Sequence, residues 1–288
     1  MKFYINYADK DFRVQQNFAL KMAKLKGGFD NIVGYSREDI EQEFYEQNRY
    51  ILEQSRGGGY WLWKPYFINK KLSEINNGDY LFYSDSGAFF LKSIDLLIQE
   101  LERSSQDIMG FELPLIESQW SKRELLLNMK CDQDYYTESN QISASFQLIK
   151  KTNFSVRFYK ELLLNSLKEE NITDYYNPKI KQKNNYIEHR HDQSIFSLMY
   201  KKYKLRPYKD PSQFGEFPRN YAGYPIGGNF KDGCVHVLEN GRRYRVYRYT
   251  EKYSNILFHS RAGRPIQNFL KHLLRKWLYK IDLYKGLF

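Results

Sequence analysis

The stretch GDYLFYSDSG, Gly78 to Gly87, decides how this chain is read. Tyr80 to Tyr83 is an unbroken apolar and aromatic run, the pattern of a strand buried on both faces. It stops abruptly at Ser84, Asp85, Ser86 and Gly87. In an open α/β sheet, ligands bind beyond the carboxyl ends of the strands. A carboxylate there, followed by a small residue and a glycine, suits a metal or a ribose and lets a diphosphate approach closely. The competing reading is an Asp-Ser-Gly turn after a strand, with no ligand.

Toward the amino terminus, strand and helix signals alternate. Phe3 to Tyr7 reads as a strand. Asp9 or Asp11 is placed to cap a helix whose apolar stripe is Val14, Phe18, Met22 and Leu25, ended by Gly27 and Gly28. Asn31 to Tyr35 reads as a second strand. Ser36 with Asp39 is a variant capping box opening a helix toward Glu53. Gly57 to Gly59 make a flexible break, and Pro65 suits the first turn of the next helix, which stops near Asn77 and Gly78. Beyond the central stretch come a helix from Ser93 toward Arg103 and a strand from Asp107 to Phe111. This order predicts an α/β fold with a mostly parallel central sheet flanked by helices.

The second half is less regular. Ser121 with Glu124 reads as a capping box, Gln141 to Ile149 as a strand and Thr152 to Leu167 as an amphipathic helix. Residues 169–190 are polar and basic, a long loop, and Asp192 is placed to cap a helix through Tyr200. Residues 207–232 are rich in Pro and Gly and read as mostly loop, with strand signals returning at Cys234 to Leu238 and Ile256 to His259. No repeat or linker is visible. The division expected is one domain over 1–264 and a carboxyl-terminal helix over 265–288.

Composition narrows the partners. Hydrophobic residues make up 42% of 288, enough for a core. Aromatics reach 17%, with 26 Tyr and 20 Phe, and such rings stack on bases and sugars. A net charge of +11 favours polyanions: nucleic acid, nucleotide diphosphates or an anionic membrane. Cys131 and Cys234 form no CxxC pair, so neither a disulfide framework nor a zinc knuckle is indicated. The polar start MKFYINYADKD is unlike a signal peptide, and no apolar run is long enough to span a bilayer. The localisation expected is cytoplasmic, soluble or peripheral at the inner face of the cytoplasmic membrane.

Three further clusters can carry chemistry. In EHRHDQS, Glu188 to Ser194, Asp192 and Gln193 are placed to bond sugar hydroxyls, and His189 or His191 to contact a phosphate or metal. The plain reading of that cluster is a helix cap beside solvated histidines. In LFHSRAGR, Leu257 to Arg264, a strand end delivers His259, a nitrogen ligand, with Arg261 and Arg264 suited to diphosphate oxygens. In GGGYWLWKPYFI, Gly57 to Ile68, Trp61 and Trp63 are stacking surfaces and Lys64 can reach a phosphate. These glycines match neither a Walker loop nor a dinucleotide fingerprint, and core packing accounts for at least one tryptophan.

Taken in order along nearly the whole chain, YADKDF, GGGYWLWKPYFI, GDYLFYSDSG, HRHDQSIFSL and FHSRAGR resemble bacterial glycosyltransferases of the GT-A fold, found in capsule, O-antigen and lipooligosaccharide biosynthesis. The resemblance implies a GT-A-like, Rossmann-like sheet and transfer of a sugar from a nucleotide-diphosphate sugar, a UDP-sugar, to a glycan or lipid-linked acceptor. It implies Asp85 in the place of the first Asp of a strand-end Asp-x-Asp motif, contacting metal or ribose, with Ser86 and Gly87 beside the donor. Gly87 stands where the second Asp would be, so a divalent Mn²⁺ or Mg²⁺ held by Asp85 and His259 would lack one protein ligand. Tyr7 and Asp9 would lie near the base and ribose. Asp192 would orient the donor sugar or the acceptor. In an inverting enzyme Asp192 or Glu112 would be the base, but the strand-end Asp and the Asp-Gln pair lean toward retention.

Other classes fit parts of this pattern. A nucleotidyltransferase or nucleotide-sugar hydrolase uses the same strand-end carboxylate. A nucleic-acid-binding protein fits the charge, but the chain lacks a nucleic-acid module and its aromatics cluster with Gly, Asp and His. From Pro265 onward, Leu270, Leu273, Leu274, Trp277, Leu278 and Ile281 share a helical face edged by Lys271, Arg275, Lys276 and Lys280. Such a helix lies on an anionic membrane or packs on the domain with its basic face solvated.

Overall fold

Strands β1 (Lys2–Tyr7), β2 (Asn31–Tyr35) and β3 (Tyr80–Ser84) lie parallel in the order β2-β1-β3. A computed structural model describes residues 1–216, 232–260 and 265–280. Successive residues of a strand face opposite ways. In β3, Leu81 and Tyr83 therefore enter one core layer and Phe82 the other. Helices Trp63–Glu74, Asn153–Ser166 and Asp192–Lys202 cover the first layer through Phe67, Tyr159 and Phe196. Helix Asp95–Ser104 covers the second through Leu97 and Leu101. The expected α/β class, a sheet flanked by helices, is the one observed.

Among the described strands, those three alone pair with one another in parallel, and a single isolated parallel bridge joins Phe111 to Tyr208. β4 (Ala88–Phe90), β5 (Ile108–Ile116), β6 (Asn140–Lys150), β7 (Val235–Val237), β8 (Arg243–Arg245) and β9 (Leu257–His259) pair antiparallel. The main sheet runs β2-β1-β3-β6-β5-β8-β7, and β4-β9 form a separate ribbon. β6 follows β5 through short helical turns and comes back as its antiparallel neighbour, inserting between β3 and β5. The chain leaving β1 goes to β2 on one side, while the chain leaving β3 goes to β5 on the other. Connections that diverge in this way open a crevice at the carboxyl ends of β1 and β3.

Several local expectations are corrected. Helix Arg13–Met22 buries Gln16 and Ala19, whereas Val14 is 78% exposed and Leu25 62%. The cause is polar: Gln16 Nε2 donates to Asn6 Oδ1 and to the Tyr35 carbonyl. The Ser36–Asp39 box forms, but it opens the short turn Arg37–Asp39 before two short helices, Gln42–Gln47 and Arg49–Leu52. Ser121 caps nothing; its hydroxyl goes to Glu117, and helix Arg123–Asn128 starts from Lys122. Gly57 to Gly59 form a tight turn with positive φ, not a loose break. At Gly59 (φ 100°) a Cβ would sit 2.7 Å from Leu52 Cα, so the turn is clamped on the preceding helix.

Helix Pro265–Lys280 rests on the ribbon by one edge. Phe269 packs on Phe258 and Phe89 at 5.2 and 5.8 Å between centroids, and Lys276 pairs with Glu216 at 2.6 Å. Ile266, Leu270, Leu274 and Trp277 remain more than half exposed. Ile281 lies outside the described residues, as do 217–231 of the expected Pro/Gly loop. Among the described residues no helix is long and apolar enough to cross a membrane.

Candidate functional site

The crevice beyond β1 and β3 is a cavity of about 500 Å³. Tyr7 and Asp9 line it from the end of β1, Asp85, Ser86 and Gly87 from the end of β3, and His259 from the end of β9. Lys64, His191, Asp192 and Gln193 close it from two helix starts. Ten of the twelve site residues singled out in the sequence thus meet in one space; the other two, Arg261 and Arg264, lie outside the described residues. Glu112 lines a separate small cavity, bonded by Tyr249, so it does not face the Asp85 crevice.

A buried cation organises the centre. Lys64 is only 4% exposed, and its Nζ lies 3.2 Å from Asp85 Oδ1 and 2.6 Å from Asp192 Oδ2. Burial alone would lower the Lys64 pKa, but the two carboxylates outweigh it and hold it above the ordinary lysine value. Burial likewise works against the charge on Asp85, yet Lys64 and the Tyr83 hydroxyl, 2.7 Å away, keep its pKa below the usual carboxylate range. Asp192 goes the other way. Burial, only partly offset by Lys64, pushes it up to about 6. Two carboxylates sharing one ammonium are thereby set apart, a pattern that marks distinct roles. The expectation that Lys64 reaches freely to a phosphate gives way to a lysine held in place by two acids.

The segment before helix Asp192–Lys202 is strained. His191, not Asp192, is the capping residue, with φ 51° and ψ −120°, a region L-residues rarely occupy. Such outliers persist where the surroundings enforce them and cluster at functional sites. Here Trp61 stacks on the His191 ring at 5.4 Å, and Trp61 itself has φ 60°. His191 Nδ1 donates to the Ile172 carbonyl at 2.8 Å, which leaves Nε2 as a lone pair. That nitrogen is buried and has no hydrogen-bond partner. Burial lowers the His191 pKa to about 4, so at neutral pH it accepts hydrogen bonds and does not offer positive charge to a phosphate. His189 is spent structurally: Nε2 donates to the Asn171 carbonyl at 2.7 Å and burial holds the ring neutral.

The cavity wall therefore carries a surplus of acceptors. Asp9 Oδ1 and Gln15 Oε1, like His191 Nε2, are buried without a hydrogen-bond partner. Positive charge comes from Lys64, Arg56 and Arg190. Arg56 and Tyr60 are both bound to Asp174, at 3.2 and 3.0 Å. Arg56 and Gln15 were not legible as site residues, because isolated polar residues far apart in sequence carry no motif. Trp63 is 6% exposed and stacks on Tyr7 at 3.9 Å, so it packs into the core, and it lines the cavity together with half-buried Trp61.

The donor set suits a protein-held divalent metal poorly. Asp85 and His259 line the same cavity, but Asp85 Oδ1 is engaged by Lys64 and Tyr83. Among the described residues no three His, Cys, Asp or Glu side chains gather as ligands. Gly87 cannot simply be exchanged for a second acid. A Cβ there would lie 3.0 Å from the Ser260 carbonyl oxygen, and Ser260 N donates to the Gly87 carbonyl at 2.8 Å. The glycine is fixed by the close approach of the chain leaving β9.

Neither a protein-family model nor a curated protein matches the chain. Among solved structures, mouse xyloside xylosyltransferase 1 is similar over 91% of this chain and 99% of its own, with a TM-score of 0.47 and 9% identity. The galactosyltransferase LgtC, in complex with donor and acceptor sugar analogs, is similar over 91% and 88%, at 0.45 and 13%. GlyE of Streptococcus pneumoniae TIGR4 is similar over 97% of this chain and 63% of its own, at 0.43 and 14%. At these scores the likenesses decide nothing about chemistry, which rests on the site itself.

Proposed function

We propose that this protein is a GT-A-like glycosyltransferase that moves a sugar from a nucleoside-diphosphate sugar, UDP-linked, to a hydroxyl of a glycan or lipid-linked acceptor in surface polysaccharide synthesis. One observation carries the reading. A single cavity at the sheet's switch point combines buried, unpartnered acceptors with a buried ammonium and two arginines. Unpartnered buried acceptors are costly and seek donors. A ligand rich in hydroxyls supplies them, and its diphosphate meets the cations.

In this reading the nucleoside lies against Tyr7, and Asp9 bonds the ribose. Ser86, Gly87 and Arg190 lie along the diphosphate, with Arg261 and Arg264 assigned to the same role. Asp192, Gln193 and His191 accept from hydroxyls of the donor sugar. Lys64 sets positive charge where the leaving diphosphate gains negative charge, a form of preorganised electrostatic stabilisation. The acceptor hydroxyl enters from the open side and must be held in line with the anomeric carbon. The Asp-Gln pair favours retention of configuration. The exposed apolar row on helix Pro265–Lys280, edged by lysines, would place the cavity at an anionic membrane surface.

The test is direct. The protein is incubated with UDP-, GDP- and TDP-sugars, with and without sugar acceptors, and the products are read by mass and by anomeric NMR coupling. Acceptor-dependent product with the donor's anomeric configuration is expected. Nucleoside diphosphate release with water as the sole acceptor points to a hydrolase, and pyrophosphate exchange to a nucleotidyltransferase. Either result overturns the proposal.

A further inference from the structure

Behind Gln193 runs a buried polar chain that does not touch the cavity until its last member. It begins at Glu117, fully buried in the short helix Glu117–Trp120. Its carboxylate accepts four donors. Lys201 Nζ and Ser197 Oγ each lie 2.5 Å from Oε2, and Gln141 Nε2 lies 2.8 Å from Oε1, which also takes the Ser121 hydroxyl. Gln141, on β6, is itself fully buried. Its Oε1 accepts from Gln193 Nε2 at 2.8 Å. Gln193 then lines the cavity beside Asp192.

The polarity of this chain follows from chemistry. An ionised carboxylate can only accept, and Lys201 supplies the cation that balances it. Gln141 must therefore turn its NH2 toward Glu117. Its carbonyl oxygen is left to face Gln193. That oxygen can only accept, so Gln193 must turn its own NH2 inward. The end of the Gln193 amide that remains is its carbonyl oxygen. A glutamine amide presents either end at little cost when nothing orients it; here one buried charge decides for two amides in series.

We infer that Glu117, Lys201 and Gln141 are positioning residues that fix Gln193 as an acceptor toward the bound ligand. Resting on the glycosyl-transfer reading, the inference gives the chain a purpose. A lone pair beside Asp192 receives a sugar hydroxyl and favours the positive character that develops on the sugar ring in an oxocarbenium-like transition state. An NH2 in that position would oppose both. Glu117 and Gln141 would then govern turnover without touching substrate, and leave binding of the nucleotide portion alone.

Two measurements decide it. In the unmodified protein, the Gln193 side-chain NH2 protons, assigned by their loss in Gln193→Ala, should exchange with water at least about a hundredfold slower than those of free glutamine, as expected for a buried donor. Exchange at the free rate overturns the inference, whatever the variants do. In Gln141→Met, which keeps the volume but removes the relay, that protection should vanish. With the transferred sugar as substrate, kcat should fall about tenfold or more while the Kd for the free nucleoside diphosphate stays within about twofold. The double variant Glu117→Gln with Lys201→Met keeps the pair neutral but removes the acceptor-only anchor, and should show the same split between kcat and Kd. A kcat within about twofold of the parent protein in a folded Gln141→Met, judged by its melting curve, overturns the inference. If the unmodified protein turns over no sugar nucleotide, the glycosyl-transfer reading fails on its own, and the exchange measurement still reports whether the amide is held.

Discussion

Two segments of this chain share a composition and meet opposite fates. Trp61 to Pro65 and Lys271 to Trp277 each set tryptophan and lysine among apolar residues. In the first, Trp63 is 6% exposed and Lys64 4%; in the second, Trp277 is 57% exposed. Composition does not separate them; partners do. Lys64 meets Asp85 and Asp192, brought from a strand end and a helix start far away in sequence. Two carboxylates make it possible to bury an ammonium, and the aromatics close over the ion group. In the tail, Lys276 pairs with Glu216 near the protein surface, and Leu270, Leu274 and Trp277 on the same helix are more than half exposed.

The largest effect should come from breaking the buried member of this pair. Lys64→Met leaves Asp85 and Asp192 facing each other without their cation. Removing one partner of a buried ion group costs about 3–5 kcal/mol, so the melting temperature should drop by many degrees. Turnover should fall by about two orders of magnitude or more. Lys276→Met, the same change in the tail, should alter stability by less than about 0.5 kcal/mol. Equal shifts for the two variants would show that the burial of Lys64 is not what distinguishes the segments.

Asp85→Asn sharpens the role of the ion group. It keeps the side chain's shape and the Tyr83 contact but removes the charge that faces Lys64. Turnover should fall about a hundredfold with folding retained. Exhaustive chelation should cost far less, within about twofold, if Asp85 acts by holding Lys64 and not a metal. A chelator effect as large as the Asp85→Asn effect would return the cation role to a metal.

The third effect is in pH. Asp192, pushed up to about 6 by burial, changes charge within the working range, and the ion group it shares with Asp85 titrates as a unit. If its anion accepts from the sugar, kcat/KM should rise as pH passes about 6 and level off above. Asp192→Asn should flatten that limb. Stability has the opposite sign. The folded protein holds this proton more tightly than the unfolded chain. The group therefore favours folding most below its ordinary value of 3.8, and that contribution is lost as pH rises through about 6. A limb that survives in Asp192→Asn would assign it elsewhere.

How much of this was legible depends on range. β3 and its terminal Asp85 were readable because an apolar run ending in Asp-Ser-Gly is a local signal. Thr152 capping helix Asn153–Ser166 was readable for the same reason. The first helix was misread because its buried face is held by Gln16, whose partners Asn6 and Tyr35 lie on two different strands. The antiparallel insertion of β6 was invisible, since the alternation that predicted parallel pairing ended at Phe111. In the site, residue identities were legible and their states were not. Nothing near His191 in sequence says that the Ile172 carbonyl accepts a hydrogen bond from its Nδ1, that its backbone is strained, or that Lys64 is already paired.

The smallest effect on the folded protein, and the most selective one on its placement, belongs to the tail. Leu270→Ser with Trp277→Ser removes apolar surface that the fold does not bury, so the melting temperature should hold within the range of ordinary surface changes, about 0.5 kcal/mol each. Transfer to a soluble acceptor should be unchanged. Sedimentation with anionic vesicles should be lost, because a basic helix is held by apolar insertion together with about 1 kcal/mol per lysine or arginine near the surface. Binding of the parent protein should weaken as salt shortens the range of those charges. The contrast with Lys64→Met is then complete, since one segment governs stability and chemistry and the other only location. If the double change instead lowers stability as Leu-to-Ser changes in a core do, the exposed row has a protein cover in solution. Vesicle binding that persists without it moves the basic contact to another face.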